Sequence, residues 1–549
     1  MFYLKHLAVL IPAIVFIAIM SPARAQSAAA LTPDAVVSVS QLPAPPSPRR
    51  AVLNPRHYPD STELAQMKQQ LAQHKAAGGG SGRKPRKTPT PKPSPTPTPS
   101  VSPSPTPSVT PTPTPAPTAT AVPPPPNASF NGIGFVASGG YVPPDTAVAA
   151  GPVYVFEAVN LEGEILSKSG GAIKSFSLYN FFNVPTSDNL TDPRVLYDAS
   201  SGRWFAVTST FGPSSAYGWN LAVSANSDPT GAWYIYKFVT PGSFPDFPKI
   251  GLNSNKVVLT GDAFSGNNYL GTEFLVFNKN EVMAGGATTP AYFVPDQGDF
   301  AIEPAIHLAP ASSPTTSNPD ALYMAAVNFG SASTVEVWTI SGVPDTGNPV
   351  ARSIRSLPIR VLSTPPNAAQ AGTNKAVDTN DSALLDAAFR DGSPGNLWVS
   401  ANDACTPPSD TAVHSCLRLI EIAIDPSAST PMTVAQDFDY SIAGYDLFYP
   451  AIRTDNRGDL AVVFNGSSSS QYVSVYRALQ LTTESGTLET PVELSAGNAA
   501  YTQSARWGDY SGAGVDPYDD ATVWLGGEYS TTCAIFGSCW GTRIAAVHP

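Results

Sequence analysis

Histidine, cysteine and charged residues are scarce in this sequence. Its 549 residues include 6 His and 4 Cys, and 13% of them are charged. Only His307, His414 and His548 follow the N-terminal quarter of the chain, too few for a histidine-rich metal centre. No H-E-x-x-H, G-x-S-x-G, P-loop or G-x-G-x-x-G motif after a strand occurs. The chain therefore lacks the common sequence signatures of zinc peptidases, serine hydrolases and nucleotide-binding enzymes.

Long apolar runs are also missing after the first 25 residues. Leu7 to Met20 is apolar, but it contains Pro12 and is shorter than the roughly 20 residues that span a bilayer. With Lys5 before it and the small-x-small site Ala23-Arg24-Ala25 after it, the pattern predicts a signal peptide over 1–25. An uncleaved anchor helix is the alternative. We therefore expect a secreted or cell-surface protein with no transmembrane segment in the mature chain.

Charge is unevenly distributed. The chain has a formal net charge of −11, yet residues 26–126 hold ten basic and three acidic residues, whereas residues 127–549 hold 19 basic and 39 acidic ones. An acidic domain on a basic stalk repels nucleic acid and favours cationic partners or metal ions. The alternative is that the acidic surface serves solubility alone.

The region before residue 127 has the composition of an extension. Residues 26–80 are predicted to be mostly disordered, with a possible short helix over 61–77, because Asp60-Ser-Thr-Glu63 resembles a capping box. Residues 81–126 alternate Pro with Thr and Ser, and proline fixes φ and removes backbone donors. We expect this segment to be a polyproline II stalk.

From residue 127 onward one short pattern recurs seven times at roughly sixty-residue spacing, about the length of a four-stranded propeller blade. Each copy has an opening residue, a short apolar run, a turn and then a strong strand. The opening residues are Asp145, Asp192, Asp246, Glu303, Asp386, Tyr449 and Asp509. The last copy ends after its third strand, and residues 129–136 could supply the fourth. We predict an all-β domain over 127–549, a seven-bladed β-propeller; a pair of two-sheet sandwiches is the alternative.

Acidic residues open most of these copies, with Asp246 one place out of frame and Tyr449 as the exception. Arg194 follows its opening residue by two places, and Arg390 and Arg453 follow theirs by four, so strand alternation puts each on the same face. One interpretation is that acids and arginines are buried partners between blades. The other is that they line a central mouth, where the arginines bind ligand.

Carboxylates in a narrow mouth repel one another unless they are partnered, protonated or neutralised by a cation. Asp145, Glu303 and Asp509 have no arginine in their own inner strand. They are therefore the candidate ligands of a divalent cation, for which Ca²⁺ is favoured because every donor is oxygen, or else of a cationic group of the ligand. The alternative is that each acid accepts backbone N–H groups of the next blade and binds no ion.

Two further groups of residues carry predictions. Tyr217 and Trp219 lie in the Gly- and Ser-rich stretch 211–220, where a loop could present their rings to a sugar. Four cysteines permit three pairings. The short separations favour Cys405–Cys416 and Cys533–Cys539, and the alternative is a zinc site on Cys405, His414 and Cys416.

Two sequence blocks carry a family resemblance. They are Asp192-Pro-Arg-Val-Leu-Tyr-Asp with Gly202-Arg-Trp-Phe, and Arg506-Trp-Gly-Asp-Tyr-Ser with Trp540-Gly-Thr-Arg-Ile. From about residue 127 to the end the chain resembles secreted bacterial β-propellers of the broad sialidase-like group. The repeated S-x-D-x-G-x-T-W boxes of sialidases are absent, so the resemblance implies a fold more than an activity.

Three functions remain open at this point. The first is an extracellular recognition or adhesion module, displayed on a stalk as a monomer, that binds a polysaccharide or a surface protein. The second is a glycan-active enzyme, a hydrolase or lyase that uses carboxylates and arginines at the mouth. The third is a structural surface protein without a small ligand. The sequence assigns no catalytic residue and no certain cofactor.

Overall fold

The computed structural model describes residues 26–45, 52–53, 120–212, 217–240, 242–266, 268–296, 300–308, 320–327, 332–534 and 536–549. The predicted signal peptide, the helix predicted over 61–77 and residues 81–119 of the predicted stalk lie outside these ranges. The regular secondary structure of the described residues is almost entirely β-strand, in a β-propeller arrangement. Among them, no helix is long and apolar enough to cross a membrane.

The strands, in chain order, are β1 (Gln26–Ser27), β2 (Ala35–Ser38), β3 (Val52–Leu53), β4 (Ser129–Gly134), β5 (Tyr141–Val142), β6 (Ala147–Ala150), β7 (Tyr154–Val159), β8 (Glu162–Ser167), β9 (Ala172–Ser177), β10 (Asn189–Asp198), β11 (Arg203–Phe211), β12 (Gly218–Ser224), β13 (Ala232–Val239), β14 (Phe244–Leu252), β15 (Lys256–Ser265), β16 (Asn268–Asn278), β17 (Ala291–Asp296), β18 (Phe300–Pro304), β19 (Ile306–Leu308), β20 (Leu322–Val327), β21 (Ala332–Val343), β22 (Asn348–Leu362), β23 (Leu384–Arg390), β24 (Gly395–Cys405), β25 (His414–Ile424), β26 (Met432–Tyr440), β27 (Asp446–Thr454), β28 (Leu460–Ser468), β29 (Gln471–Gln480), β30 (Val492–Ser495), β31 (Gly512–Val515), β32 (Val523–Cys533) and β33 (Gly537–Val547). Two short α-helices, α1 (Leu178–Phe181) and α2 (Lys279–Met283), and a 3₁₀ turn over Val39–Gln41 lie between them.

Antiparallel sheets of neighbouring strands follow one another along the chain. They are β6–β9, then β10–β13 with β2 at its edge, then β18 with β20–β22, then β27–β30 and then β31–β33 with β4. A ten-stranded sheet contains two more such groups, β14–β17 with β1 and β23–β26, which β19 joins by parallel pairing. Strands β3 and β5 form a separate parallel pair.

The last sheet is completed by the strand expected from the N-terminal side of the domain. In β4, Phe130 and Ser129 pair with Ile544 and Ala545 of β33. The predicted contribution of residues 129–136 is therefore confirmed for this pairing. A strand from the start of the domain thus covers the edge that the C-terminal strands would otherwise expose.

The sheets pack face to face through aliphatic and aromatic side chains. Phe205 and Leu221 of one sheet lie in the same cluster as Leu259 and Leu275 of the next, each at most 1% exposed. Alternating positions on each strand supply these contacts, as the period of two requires. Burying each such side chain contributes about 1.5–3 kcal/mol.

A β-bulge recurs near the start of the first strand of several sheets. The pairing register shifts between Thr191 and Arg194. The bulged residues Asp192, Phe247, Ala301 and Tyr449 all have φ between 50° and 57°. This left-handed conformation is uncommon for residues other than glycine. Its recurrence identifies the bulge as a feature of the repeat.

Polar side chains of one sheet hold the bulge of the next. The side-chain oxygens of Asn160, Asp262 and Asn402 accept the backbone N–H groups of Asp192, Ala301 and Tyr449 at 2.9, 3.0 and 2.8 Å. Because these N–H groups are buried, each needs such a partner. The bonds therefore fix each sheet against its neighbour.

Residues 26–45 lie against the propeller, which the sequence interpretation of this segment did not include. Ala35 and Ser38 of β2 pair with Ile235 and Ala232 of β13. Asp34 forms an ion pair of 3.0 Å with Lys237. The segment therefore adds an outer strand to one sheet.

Both predicted disulfides are present. Cys405 is bonded to Cys416 and Cys533 to Cys539, each pair lying across a hairpin. The zinc alternative on Cys405, His414 and Cys416 is wrong, because both thiols are consumed. His414 instead contacts Asp446 at 3.0 Å and Asp410 at 3.3 Å.

Candidate functional site

The first strands of successive sheets, which we call the inner strands, surround a common axis. They are β6, β10, β14, β18, β23, β27 and β31, each contacts the next, and β31 returns to β6. The cavity between them measures about 30 Å³. A water molecule needs roughly 10–15 Å³ on this measure, so the cavity has room for about two. It is too narrow for a sugar ring.

Oppositely charged side chains from neighbouring inner strands line this axis. Lys249 lies 3.4 Å from Glu303, and Arg453 lies 2.6 Å from Asp386. Burial raises the pKa of Glu303 to about 7, and the charge of Lys249 opposes that rise. The acids and cations thus tie neighbouring sheets together, as the structural interpretation of the sequence expected.

Of the three arginines predicted as ligand contacts, Arg194 and Arg453 line the axis cavity and Arg390 does not. The guanidinium of Arg194 lies over the ring of Tyr510, 3.3 Å from its centroid. The guanidinium of Arg453 donates a hydrogen bond to the carboxylate of Asp386. Arg390 lies at the far end of β23, where it contacts Asp520 at 3.3 Å. Ligand binding by these residues stays a prediction, one that the narrow axis cavity does not favour.

Three aspartates meet where the inner strands β31, β6 and β10 begin. One carboxylate oxygen from each of Asp145, Asp192 and Asp509 lies within 4.8 Å of the other two. All three side chains are at most 1% exposed. Asp145 and Asp192 have φ of 56° and 57°, a region that Asp tolerates better than most residues.

Hydrogen bonds orient these carboxylates. Asn160 donates its amide to Asp145 across 2.6 Å, and its oxygen accepts the N–H of Asp192. Arg506 donates to both carboxylate oxygens of Asp509, each at 2.7 Å. The group therefore combines three carboxylates with one guanidinium, an arrangement able to hold a cation through oxygen ligands.

A fourth carboxylate, that of Glu528, is buried beside this group. Its Oε1 accepts the backbone N–H and the hydroxyl of Thr146, the residue after Asp145, at 3.3 and 3.0 Å. Its Oε2 lies against Gly508, the residue before Asp509, where a Cβ atom would stand 2.6 Å away. Burial first, and then the charge of Asp145, holds the pKa of Glu528 well above its ordinary value.

The predicted metal set is thus partly brought together. Asp145 and Asp509 meet as expected, whereas Glu303 lies on another inner strand and pairs with Lys249. Its place in the group is taken by Asp192, for which the sequence had suggested neutralisation by Arg194. Glu303 lies outside this group because the bulge places it two residues beyond the position equivalent to Asp192, and a metal role for it stays a prediction.

The two predicted aromatic contacts have different surroundings. Trp219 lies within β12, is 1% exposed and packs against Phe238. The expectation that a loop presents Trp219 is wrong, since it is a core residue between two sheets. Tyr217, just before β12, is 43% exposed.

Tyr217 belongs to an aromatic group at the end of the domain where the inner strands begin. Its ring centroid lies 6.3 Å from that of Phe244, which lies 4.6 Å from that of Phe211. Phe211 ends β11 and Phe244 begins β14, and both are half-buried. The two phenylalanines are not among the residues predicted from the sequence, although each lies at the end of a recognisable strand.

Carboxylates lie below this aromatic group and are buried. Asp246 and Asp262 face each other as cross-strand partners, each at most 2% exposed. The carboxylate of Glu273 accepts hydrogen bonds from the hydroxyl groups of Tyr292 and of Ser243, the residue before Phe244. Burial raises the pKa of Asp262 to about 6 and that of Glu273 to about 7.

No protein-family model matches the chain, and no curated protein matches it either. Solved structures similar to it include sialidase-like and arabinanase-like β-propellers. The Hadza microbial sialidase Hz136 is 10% identical with a TM-score of 0.35, covering 72% of this chain and 73% of its own. A Penicillium chrysogenum alpha-L-arabinanase complexed with arabinobiose is 7% identical with a TM-score of 0.31, covering 57% and 94%.

A subtype N11 neuraminidase-like protein of A/flat-faced bat/Peru (H18N11) is 15% identical with a TM-score of 0.29, covering 51% of this chain and 71% of its own. At these identities and TM-scores, the similarities carry no argument about ligand or activity.

Proposed function

We propose that the protein is an extracellular recognition module that binds a polysaccharide at the face where the inner strands begin. The observation that carries the proposal is the aromatic group of Phe211, Tyr217 and Phe244, in which Tyr217 is 43% exposed. Sugar rings have flat apolar faces, and aromatic rings bury large areas against them while a tyrosine hydroxyl still finds a polar partner.

The carboxylates beneath the aromatic group favour binding over hydrolysis. Glycosidic cleavage commonly needs two carboxyl groups that face the sugar. Asp262 instead accepts hydrogen bonds from Thr272 at 2.7 Å and from the N–H of Ala301 at 3.0 Å. Glu273 is likewise engaged by Tyr292 and Ser243. These acids support the strands that carry the aromatic rings.

Further parts of the proposal concern the display of the module. We infer cleavage of residues 1–25 at export and a Pro- and Thr-rich stalk over 81–126, which would hold a monomeric domain away from its attachment point. The two disulfides and the composition support an oxidising extracellular location. An acidic domain is unsuited to nucleic acid.

We also infer that the ring has seven blades. The ten-stranded sheet contains two four-stranded groups, β14–β17 and β23–β26, which the short strand β19 joins by parallel pairing. Counted as two blades, they join the five other groups of the ring to give seven blades. Seven is also the number of copies of the sequence repeat.

A glycan array with the full-length protein tests the binding proposal. Tyr217→Ala should weaken binding to the recognised polysaccharide about tenfold, or about 1.4 kcal/mol. Tyr518→Ala is the matched control, because Tyr518 is 49% exposed and lies in the turn between β31 and β32, away from the aromatic group. Turnover of a glycan would favour the enzyme, and binding only to a surface protein would also contradict the proposal.

A further inference from the structure

We propose that Asp145, Asp192 and Asp509 bind one Ca²⁺ ion that joins the last inner strand to the first two. The site is separate from the aromatic group of the proposed function. It lies where β31, near the C-terminal end of the chain, meets β6 and β10.

The separation of the oxygens fits the size of the ion. Ca²⁺ takes oxygen ligands at 2.3–2.6 Å, so two oxygens on opposite sides of it are about 4.6–5.2 Å apart. The three aspartate oxygens lie within 4.8 Å of one another and can therefore share one coordination shell. Their donor set is oxygen alone, which suits a hard cation and not a thiolate or imidazole metal.

The surrounding residues hold the ligands in place. Asn160 bridges Asp145 and the backbone of Asp192, and the hydroxyl of Thr191 donates to Asp192 across 2.5 Å. Such outer bonds orient metal ligands. Arg506 binds the carboxylate of Asp509 from a 22% exposed position.

The second, independent observation is Glu528. Its side chain is 2% exposed, and its Oε2 has no hydrogen-bond partner in the described part of the chain. This carboxyl group lies between Thr146 and Gly508, the neighbours of Asp145 and Asp509. A fourth buried carboxyl group, with an oxygen that lacks a hydrogen-bond partner in the described residues, points to a bound cation at this place.

The test measures Ca²⁺ binding by the full-length protein with titration calorimetry, together with the thermal unfolding midpoint in millimolar Ca²⁺ and in chelator. We expect one ion per chain and a higher midpoint with Ca²⁺. Asp145→Asn and Asp192→Asn should each weaken binding at least about tenfold. Asp425→Asn, in the turn after β25, should not change it.

A midpoint that is the same in Ca²⁺ and in chelator would overturn the proposal, as would full binding by both variants. Equal stabilisation by Na⁺ at matched ionic strength would show screening and would also overturn it. If the variants do not fold, the wild-type protein still decides the question.

Tb³⁺, which takes oxygen ligands, should luminesce when Trp507 near Asp509 is excited, and Ca²⁺ should displace it. Absence of that signal contradicts the site, and glycan binding is measured separately.

Discussion

The side-chain oxygen of Asn402 accepts the backbone N–H of Tyr449 across 2.8 Å, and this bond joins two neighbouring sheets. Asn402→Ala leaves that buried N–H group without its partner, which costs about 1–3 kcal/mol. We therefore expect the free energy of unfolding to fall by that amount in urea denaturation. Asn396→Ala, at a half-buried position on the same strand, is the matched control. Equal losses in the two variants would show that the bond between the sheets has no special role.

Trp219 and Tyr217 should respond oppositely to substitution, although they are two residues apart. Trp219→Ala removes a ring that is 1% exposed between two sheets and should cost about 3–5 kcal/mol. Tyr217→Ala removes an exposed ring and should change stability by less than about 0.5 kcal/mol. Urea unfolding of both variants measures this difference. A Trp219→Ala protein with wild-type stability would show that its ring is not part of the core.

The strand pattern was readable because it depends on local alternation. Val335 and Val337 alternate with the polar Glu336 in the sequence, and both valines are fully buried in β21. The missing strand of the last sheet was also inferable, since a ring with an open edge at β33 needs a partner. These predictions needed only the two-residue alternation of side chains along a strand and the rule that an exposed strand edge needs a partner.

Positions around the bulge were not readable in the same way. The even spacing from Asp192 to Arg194 predicts one strand face for both residues, but the pairing register shifts between Thr191 and Arg194. A bulge inserts one extra residue and breaks the alternation that the argument used. The same insertion at Ala301 puts Glu303 out of frame with Asp192.

The outer strand formed by residues 35–38 was missed for a different reason. Ala35-Val-Val-Ser38 is a short β-forming run between Pro and Gln residues, in a region whose composition is that of an extension and not of a folded domain. Its partner, β13, lies about two hundred residues further along the chain. A strand whose pairing is so remote has no local signal beyond a β-branched pair.

Removing the Cys405–Cys416 disulfide should destabilise the protein without changing its fold. The bond closes a loop of sequence separation 11 between β24 and β25. Closing a loop of that size stabilises by about 2–3 kcal/mol through the entropy of the unfolded chain. The double variant Cys405→Ser, Cys416→Ser should lose that amount in urea unfolding under oxidising conditions. Its far-ultraviolet circular dichroism should match the wild type, and a loss of the β signal would contradict this local role.

Stability should fall as the pH rises through the range in which Glu273 titrates. Burial raises the pKa of Glu273 from 4.5 to about 7. The native state therefore holds this proton more tightly than the unfolded state does. The resulting stabilisation is complete below pH 4.5, the ordinary value, and is lost as the pH passes through 7. Asp262, whose pKa burial raises to about 6, acts in the same direction.

Glu273→Gln should remove part of this pH dependence. An amide is neutral at every pH, and its carbonyl oxygen can still accept the hydroxyl of Tyr292, which now bonds to the carboxylate. Above pH 7 the variant should be more stable than the wild type by up to about 3 kcal/mol, and near pH 4 the two should be equal. Urea unfolding at a series of pH values measures the difference, with the same exchange at exposed Glu493 as the control. Parallel curves for wild type and Glu273→Gln would show that the buried carboxyl group does not control stability in this range.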